Sequence, residues 1–316
     1  MNHAKEELGS SMKELRELKE LFGERYQENF ALRSYNTFRT GGKADIAVFP
    51  QAEEELVFLL NTLQTNKIPY LIIGNGSNLL ISDDGVEGAA IILTKLKKIT
   101  ISKFELSALA GDMLSETAYF AMQNSLSGLE FASGIPGSVG GAVYMNAGAY
   151  GAEMKDVVQS VKIIGADGII KTMTNQSIGF GYRTSNFQNS GSVIISAKFL
   201  LHPGDREKIR NSMKELNMQR RLKQPLEYPS AGSTFRRPDG YFAGKLIEDA
   251  GLKGYRIGGA MVSEKHAGFI INYEHATTSD IMNLISYVIE TVNAKFHVEL
   301  HPEVQFVGRK SFERVR

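Results

Sequence analysis

The sequence contains no cysteine. That absence removes disulfides, thiolate nucleophiles, cysteine-ligated zinc and iron–sulfur clusters from consideration. Long apolar runs are missing as well. No stretch approaches the ~20 residues that span a bilayer, and the N-terminus lacks the apolar core of a signal peptide. The expectation is a cytoplasmic protein with no membrane partner. Nor is charge of one sign in excess: 36 Lys and Arg stand against 35 Asp and Glu. A broad nucleic-acid-binding surface, which shows as surplus basic charge, is not expected. A local basic pocket for an anionic small molecule stays open.

Glycine is plentiful, at 31 of 316 residues, above the usual ~7%. Such enrichment suits backbone that approaches a ligand closely. The length favours two domains. Met12, Leu15, Leu18, Leu21 and Phe22 mark an amphipathic helix near the N-terminus, with Ser11 and Glu14 as a capping box. Apolar spacing predicts a strand over 44–49, a helix over 52–65 and a short buried strand over 70–73 that runs into Gly74. Further strands are expected over 89–93, 106–110, 157–164 and 193–201, with a helix over 113–124. The break His202-Pro203-Gly204 precedes a different pattern. Helices are expected over 205–222, 243–250 and 279–296, and strands over 268–272 and 297–307.

Two glycine-rich segments carry the first functional signal. Gly74-Asn75-Gly76-Ser77-Asn78 follows a buried strand. Glycines let successive amides point into one concavity, and Ser77 and Asn78 add side-chain donors, which suits a pyrophosphate. Leu79 stands where the dinucleotide fingerprint requires its third glycine, so that motif is absent. The second segment, Gly134-Ile135-Pro136-Gly137-Ser138-Val139-Gly140-Gly141-Ala142, is denser than a surface turn requires. It continues into Asn146-Ala147-Gly148-Ala149-Tyr150-Gly151. Together the segments predict an enzyme that holds a phosphate-bearing cofactor.

Two near-matches fail on inspection. Gly240 to Leu246 has the wrong glycine spacing for a P-loop, and Leu246 replaces the magnesium-binding hydroxyl. His297 and His301 are spaced as zinc ligands on a helix, but Val298 replaces the required glutamate. No metal site is expected.

Three polar segments remain: Phe180 to Phe187 around Arg183, Ser230 to Pro238 around Ser233, and His301-Pro302-Glu303-Val304. Each has a bland account alone, as an ion pair, a turn hydroxyl or a solvated carboxylate. Their order adds what the single segments lack. With Asn36 to Gly42, Gly74 to Leu79, Gly128 to Gly151, Ala243 to Gly251 and His266 to Asn272, they resemble the UDP-N-acetylenolpyruvoylglucosamine reductases. Those enzymes act in bacterial peptidoglycan precursor synthesis. The resemblance covers nearly everything from about residue 30 to 308.

The resemblance implies an α+β fold: a two-lobed FAD-binding module of the p-cresol methylhydroxylase type, then an α/β substrate-binding domain. The expected division is an N-terminal helix (1–29), the FAD module (30–202, with lobes 30–103 and 104–202) and the substrate domain (203–316). It implies FAD as cofactor and NADPH as co-substrate. The substrate would be UDP-N-acetylglucosamine enolpyruvate, handled by a monomer or weak oligomer. Arg183, Ser233 and Glu303 are the implied catalytic residues. FAD contacts are expected from Gly74 to Leu79, from Gly134, Ile135, Pro136, Gly137, Ser138, Gly140, Gly141 and Ala142, and from Asn146, Gly148, Ala149 and Tyr150. Tyr182, Lys223, Arg237 and His266 are the candidate substrate contacts. The short stretch from Tyr182 to Ser233 resembles the branch without the insertion that carries a substrate-clamping tyrosine. A flavin oxidase on the same module and a catalytically silent flavin carrier are the competing readings.

Overall fold

The periodic segments become the elements their spacing predicts. In the computed structural model, which describes residues 16–309, Leu56, Leu59, Leu60 and Leu63 all lie buried on a helix over Glu53–Thr65. Glu53, Glu54 and Glu55 fill its first turn, where unpaired N–H groups favour negative charge. The N-terminal helix is present over 16–22, with Leu18 and Phe22 buried. Its capping pair, Ser11 and Glu14, lies outside the described residues. The mixture of sheets and helices is the expected α+β class.

The described chain forms two compact units, each assembled from separated stretches. The first comprises 16–30, Ala44–Asn75 and Glu87–Met213. It contains a four-stranded sheet in the order Tyr26–Ala31, Lys43–Val48, Val86–Ile92, Tyr70–Ile73. The last two strands run parallel, and the helix Glu53–Thr65 connects Lys43–Val48 to Tyr70–Ile73 across the position that Val86–Ile92 fills. A five-stranded antiparallel sheet has the order Ile170–Thr174, Val158–Ile164, Val193–Leu200, Glu105–Leu109, Ile99–Ser102. One apolar core takes in both sheets, the helix Glu53–Thr65 and the helix Leu114–Gln123. The helix Arg206–Lys223 carries the chain from the first unit into the second.

The second unit comprises Ala31–Lys43, Gly76–Val86 and 214–309. Its centre is the helix Thr278–Phe296, packed with the helix Ala243–Asp249 and a sheet of Arg256–Ile257, Ala260–Val262 and Ile270–Asn272. The two early stretches join it through buried contacts. Phe38 and Leu80 enter its core. Leu79–Ile81 pairs in parallel with Gln305–Val307. The Asn272 amide donates to the Phe38 carbonyl (2.9 Å), and the buried Thr278 hydroxyl donates to the Ile81 carbonyl (2.5 Å). The Asp83 carboxylate accepts from the Thr278 and Ser279 amides and from the Ser279 hydroxyl, each at 2.9 Å. It thus caps a helix almost two hundred positions further on.

The strand expected over 297–307 needs correction. Only Gln305–Val307 forms a strand. His297 adopts a left-handed φ of 56° and ends the preceding helix. Pro302 forms an isolated bridge opposite Phe235, flanked by the bonds from Arg236 N–H to the His301 carbonyl and from Glu303 N–H to the Thr234 carbonyl.

Because Asp83 satisfies helix N-terminal donors as a capping side chain does, Asp83→Ala should destabilise the protein by about 1–2 kcal/mol. A urea titration followed by far-UV circular dichroism checks this, and an unchanged midpoint would contradict it.

Candidate active site

In the first unit the two glycine-rich segments touch. A Cβ on Gly74 would lie 2.2 Å from the Ser138 hydroxyl, and the Asn75 amide donates to the Pro136 carbonyl (2.7 Å). Ser138 caps the short helix Val139–Tyr144 by accepting from the Gly141 N–H. Gly140 faces the strand below it: its N–H donates to the Ala110 carbonyl (3.0 Å), and a Cβ there would meet the Ala110 Cβ at 2.8 Å. Val139 N–H donates to the Asp112 carbonyl (2.8 Å). The Asp112 carboxylate accepts from the Lys98 and Leu109 amides, while burial holds its carboxyl above the ordinary carboxylate range. Part of the glycine density therefore serves helix-on-strand packing. Gly141 and Pro136 remain exposed.

The segment continues as a tight hairpin. Gly148–Ala149 pairs with Ala152–Glu153, and Tyr150 and Gly151 between them have φ of 56° and 87°. Two successive positive φ values are what a two-residue hairpin turn demands. Asn146 anchors this hairpin. It is fully buried; its amide nitrogen donates to Glu153 Oε2 (3.0 Å) and the Gly181 carbonyl (2.8 Å), and its oxygen accepts from the Lys155 N–H (2.9 Å). Its side-chain donors and acceptor are thus engaged within the protein.

Arg183 projects from a second turn, closed by reciprocal hydrogen bonds between Gly181 and Thr184. Its φ is 55°, a costly conformation for a side chain of this size. The guanidinium donates to the Gly148 carbonyl (2.9 Å), lies 3.9 Å from Glu153 Oε1, and stacks 5.1 Å from the half-exposed Tyr182 ring.

The second unit carries the other expected residues. Gly76, at φ 62°, runs so close to the Tyr35 carbonyl that a Cβ would lie 2.2 Å from it. The Thr37 N–H donates to the Gly76 carbonyl (3.2 Å), and the Thr37 hydroxyl is buried with no hydrogen-bond partner. The Asn78 amide donates to the Glu303 carbonyl (3.1 Å), and the Gln305 N–H donates to the Asn78 carbonyl (2.9 Å). Ser233 is exposed between Gly232, whose φ is 78°, and fully buried Thr234. Thr234 fixes that backbone on both sides. Its N–H donates to the Gly268 carbonyl (2.8 Å), its carbonyl accepts from the Glu303 N–H (2.8 Å), and its hydroxyl accepts from the Ile270 N–H (3.0 Å). Glu303 therefore pairs through its backbone with Thr234, the residue next to Ser233.

His266 lies beside the same pairing. Its Nδ1 accepts from the Gly268 N–H (3.1 Å), so the neutral ring carries its proton on Nε2. Burial pushes its pKa below the ordinary 6.5. Gly244 and Gly268 leave room for the ring, since a Cβ on either would come within 3.3 Å of it. Arg237 donates to the Tyr241 carbonyl and stacks 4.0 Å from Phe242, and Lys223 ends its helix in an exposed position. Sequence reasoning missed two residues. Thr37 lay inside a matched stretch without an assigned part. Glu153 had a visible signal, a lone acid beside a glycine-rich turn.

Comparison with known proteins places these features in a family. Residues 44–174 match the FAD binding domain family, and residues 224–307 match the UDP-N-acetylenolpyruvoylglucosamine reductase C-terminal domain. The reductase of Latilactobacillus sakei is 50% identical over 283 residues, covering 90% of this chain and 93% of its own. That of Streptococcus uberis is 49% identical, covering 93% and 97%. The solved structure of the Thermus caldophilus reductase is 33% identical and superposes with a TM-score of 0.74, covering 88% of this chain and 97% of that one.

The closeness of Gly140 to Ala110 yields a prediction. Gly140→Ala should overpack the contact, lower stability by about 1–3 kcal/mol and reduce the FAD that copurifies. Thermal melting and the flavin absorbance per chain measure both. Full FAD content with an unchanged melting temperature would show that the contact relaxes freely.

Proposed function

The chain belongs to the UDP-N-acetylenolpyruvoylglucosamine reductases, and from that premise we propose how its residues divide the reaction. It is an FAD-dependent oxidoreductase of peptidoglycan precursor synthesis. The reaction reduces the enolpyruvyl group of UDP-N-acetylglucosamine enolpyruvate to the lactyl ether of UDP-N-acetylmuramate, with NADPH as the source of reducing equivalents. FAD, held by the glycine-rich segments, would supply the hydride-transfer chemistry that links NADPH to the terminal vinyl carbon of the substrate.

The residues present fit that cofactor. A buried hydroxyl without a protein partner, Thr37, sits on the Gly76 loop, as expected where a ligand supplies the missing group. Gly74 to Leu79, together with Gly134 to Ala142, are assigned to FAD. Gly148, Ala149 and Tyr150 are assigned to it through the hairpin. Asn146 is assigned the task of holding that hairpin. The 30–202 region is read as the FAD module and the 203–316 region as the substrate-binding domain.

Hydride arrival at the terminal carbon leaves negative charge on the adjacent carbon and in the substrate carboxylate. Arg183 is assigned to that carboxylate, because a guanidinium fork matches it bidentately and a fixed cation stabilises charge as it develops. Ser233 then delivers its hydroxyl proton to the adjacent carbon, completing addition of one hydride and one proton. An alcohol is a weak general acid near neutral pH. The acceptor here is a strongly basic enolate-like carbon, so placement matters more than acidity. Glu303 is assigned to the same stabilising cluster, either protonated or orienting another donor. Tyr182, Lys223, Arg237 and His266 are assigned to the sugar nucleotide. The reading carries with it a cytoplasmic location and a monomer or weak oligomer that binds neither nucleic acid nor membrane. Among the described residues no helix is long and apolar enough to cross a membrane.

One observation carries the catalytic assignment: Ser233 presents an exposed hydroxyl on backbone clamped beside Glu303. Purified protein should be yellow, bleach with NADPH and recolour on adding the enolpyruvyl sugar nucleotide. Rapid recolouring by air alone would indicate an oxidase, and failure to bleach a silent carrier. In stopped-flow, Ser233→Ala should keep fast flavin reduction and lose substrate-driven reoxidation. Two fast half-reactions in that variant would remove Ser233 from the proton-donor position.

A further inference from the structure

The contacts around Arg183 draw in a residue that no step above uses. The hairpin Gly148–Glu153 reaches the guanidinium twice, through the Gly148 carbonyl at 2.9 Å and the Glu153 carboxylate at 3.9 Å. Both charged side chains are about four-fifths buried, at 20% and 19% exposure, so solvent screens their attraction less than it would on the surface. Glu153 is itself fixed. Its Oε2 accepts from Asn146 Nδ2 (3.0 Å) and from the Lys155 ammonium (2.8 Å). Asn146 in turn donates to Gly181, the residue that closes the turn bearing Arg183. One buried amide thus ties the carboxylate and the arginine turn to each other.

We infer that Glu153 is a positioning residue: held by Asn146 and Lys155, its carboxylate orients the Arg183 guanidinium toward the substrate carboxylate. The inference rests on the assignment of Arg183 made above. The need for it is physical. Arg183 is a long side chain on a strained left-handed backbone, and an arginine left to sample its rotamers stabilises developing charge poorly. A simpler account exists, because Glu153 also caps the short helix Met154–Asp156 by accepting from the Asp156 N–H. Glu153→Gln separates the two roles. The glutamine keeps an acceptor oxygen for the cap and removes the negative charge facing Arg183.

The test uses the FAD-loaded full chain in stopped-flow, with parent, Glu153→Gln, Arg183→Ala and the double variant. Glu153→Gln should slow reoxidation by the enolpyruvyl substrate about tenfold and raise its KM. Flavin reduction by NADPH and the melting temperature should stay near the parent values. In the Arg183→Ala background, Glu153→Gln should change reoxidation by less than about twofold, because coupled residues are not additive. If Arg183→Ala slows reoxidation and Glu153→Gln alone does not, the positioning inference fails while the Arg183 assignment stands. Effects that multiply independently also overturn it. If Arg183→Ala leaves reoxidation fast, the assignment of Arg183 fails first and takes the inference with it. Should the glutamine variant lose FAD, Glu153→Asp, which keeps the charge, enters the same cycle and must show the same non-additivity.

Discussion

The structure depends on close backbone approach along Gly74 to Asn78. At Gly74 the main chain runs against Ser138, with no room for a side chain, and at Gly76 it runs against the Tyr35 carbonyl. The asparagines beside these glycines complete the anchoring: Asn75 bonds Pro136 within the first unit, and Asn78 bonds Glu303 within the second. Five consecutive residues are thus built at one end into one compact unit and at the other end into the other. Any side chain on Gly74 or Gly76 would have to displace backbone or a capping hydroxyl. Each end of the loop is therefore fixed for packing reasons within its own unit before any ligand is considered.

The same economy appears around the arginine. Asn146, Tyr150 and Arg183 all have positive φ without being glycine. Such conformations persist only where surrounding structure over-determines them. Here the determinants can be named: the Asn146 amide holds Gly181, and the Gly148 carbonyl holds the guanidinium. Strain at these positions is offset by hydrogen bonds that also aim a charged group. That coincidence is common where chemistry demands fixed placement.

Much of this was legible in the sequence wherever contacts are local. The leucine stripe over Glu53–Thr65, the strand Tyr70–Ile73 and the long helix Thr278–Phe296 follow from spacing alone. What spacing could not reveal is that Ala31–Lys43 and Gly76–Val86 fold with the C-terminal third. The interactions responsible, Asn272 to Phe38 and Asp83 to Thr278, join residues about two hundred positions apart. The alternation after His297 misled for a related reason. It has the period of a strand, but the helix cap at His297 delays its start, and pairing before Gln305 is limited to one isolated bridge at Pro302. The glycine density of the second loop was legible as close approach. It could not distinguish a ligand from Ala110, the residue that Gly140 faces.

The polar residues divide by what the fold does to them. Thr234 is fully buried and bonded at its amide, carbonyl and hydroxyl, and Ser233 beside it is left exposed. The proton-donor role proposed for Ser233 calls for no shifted acidity; it calls for a fixed origin and freedom to rotate about one bond. Clamping the neighbour and leaving the serine open supplies both. The same clamp fixes the Glu303 backbone, whose N–H bonds the Thr234 carbonyl. A change at Thr234 would therefore disturb both residues together, although its own side chain is wholly buried.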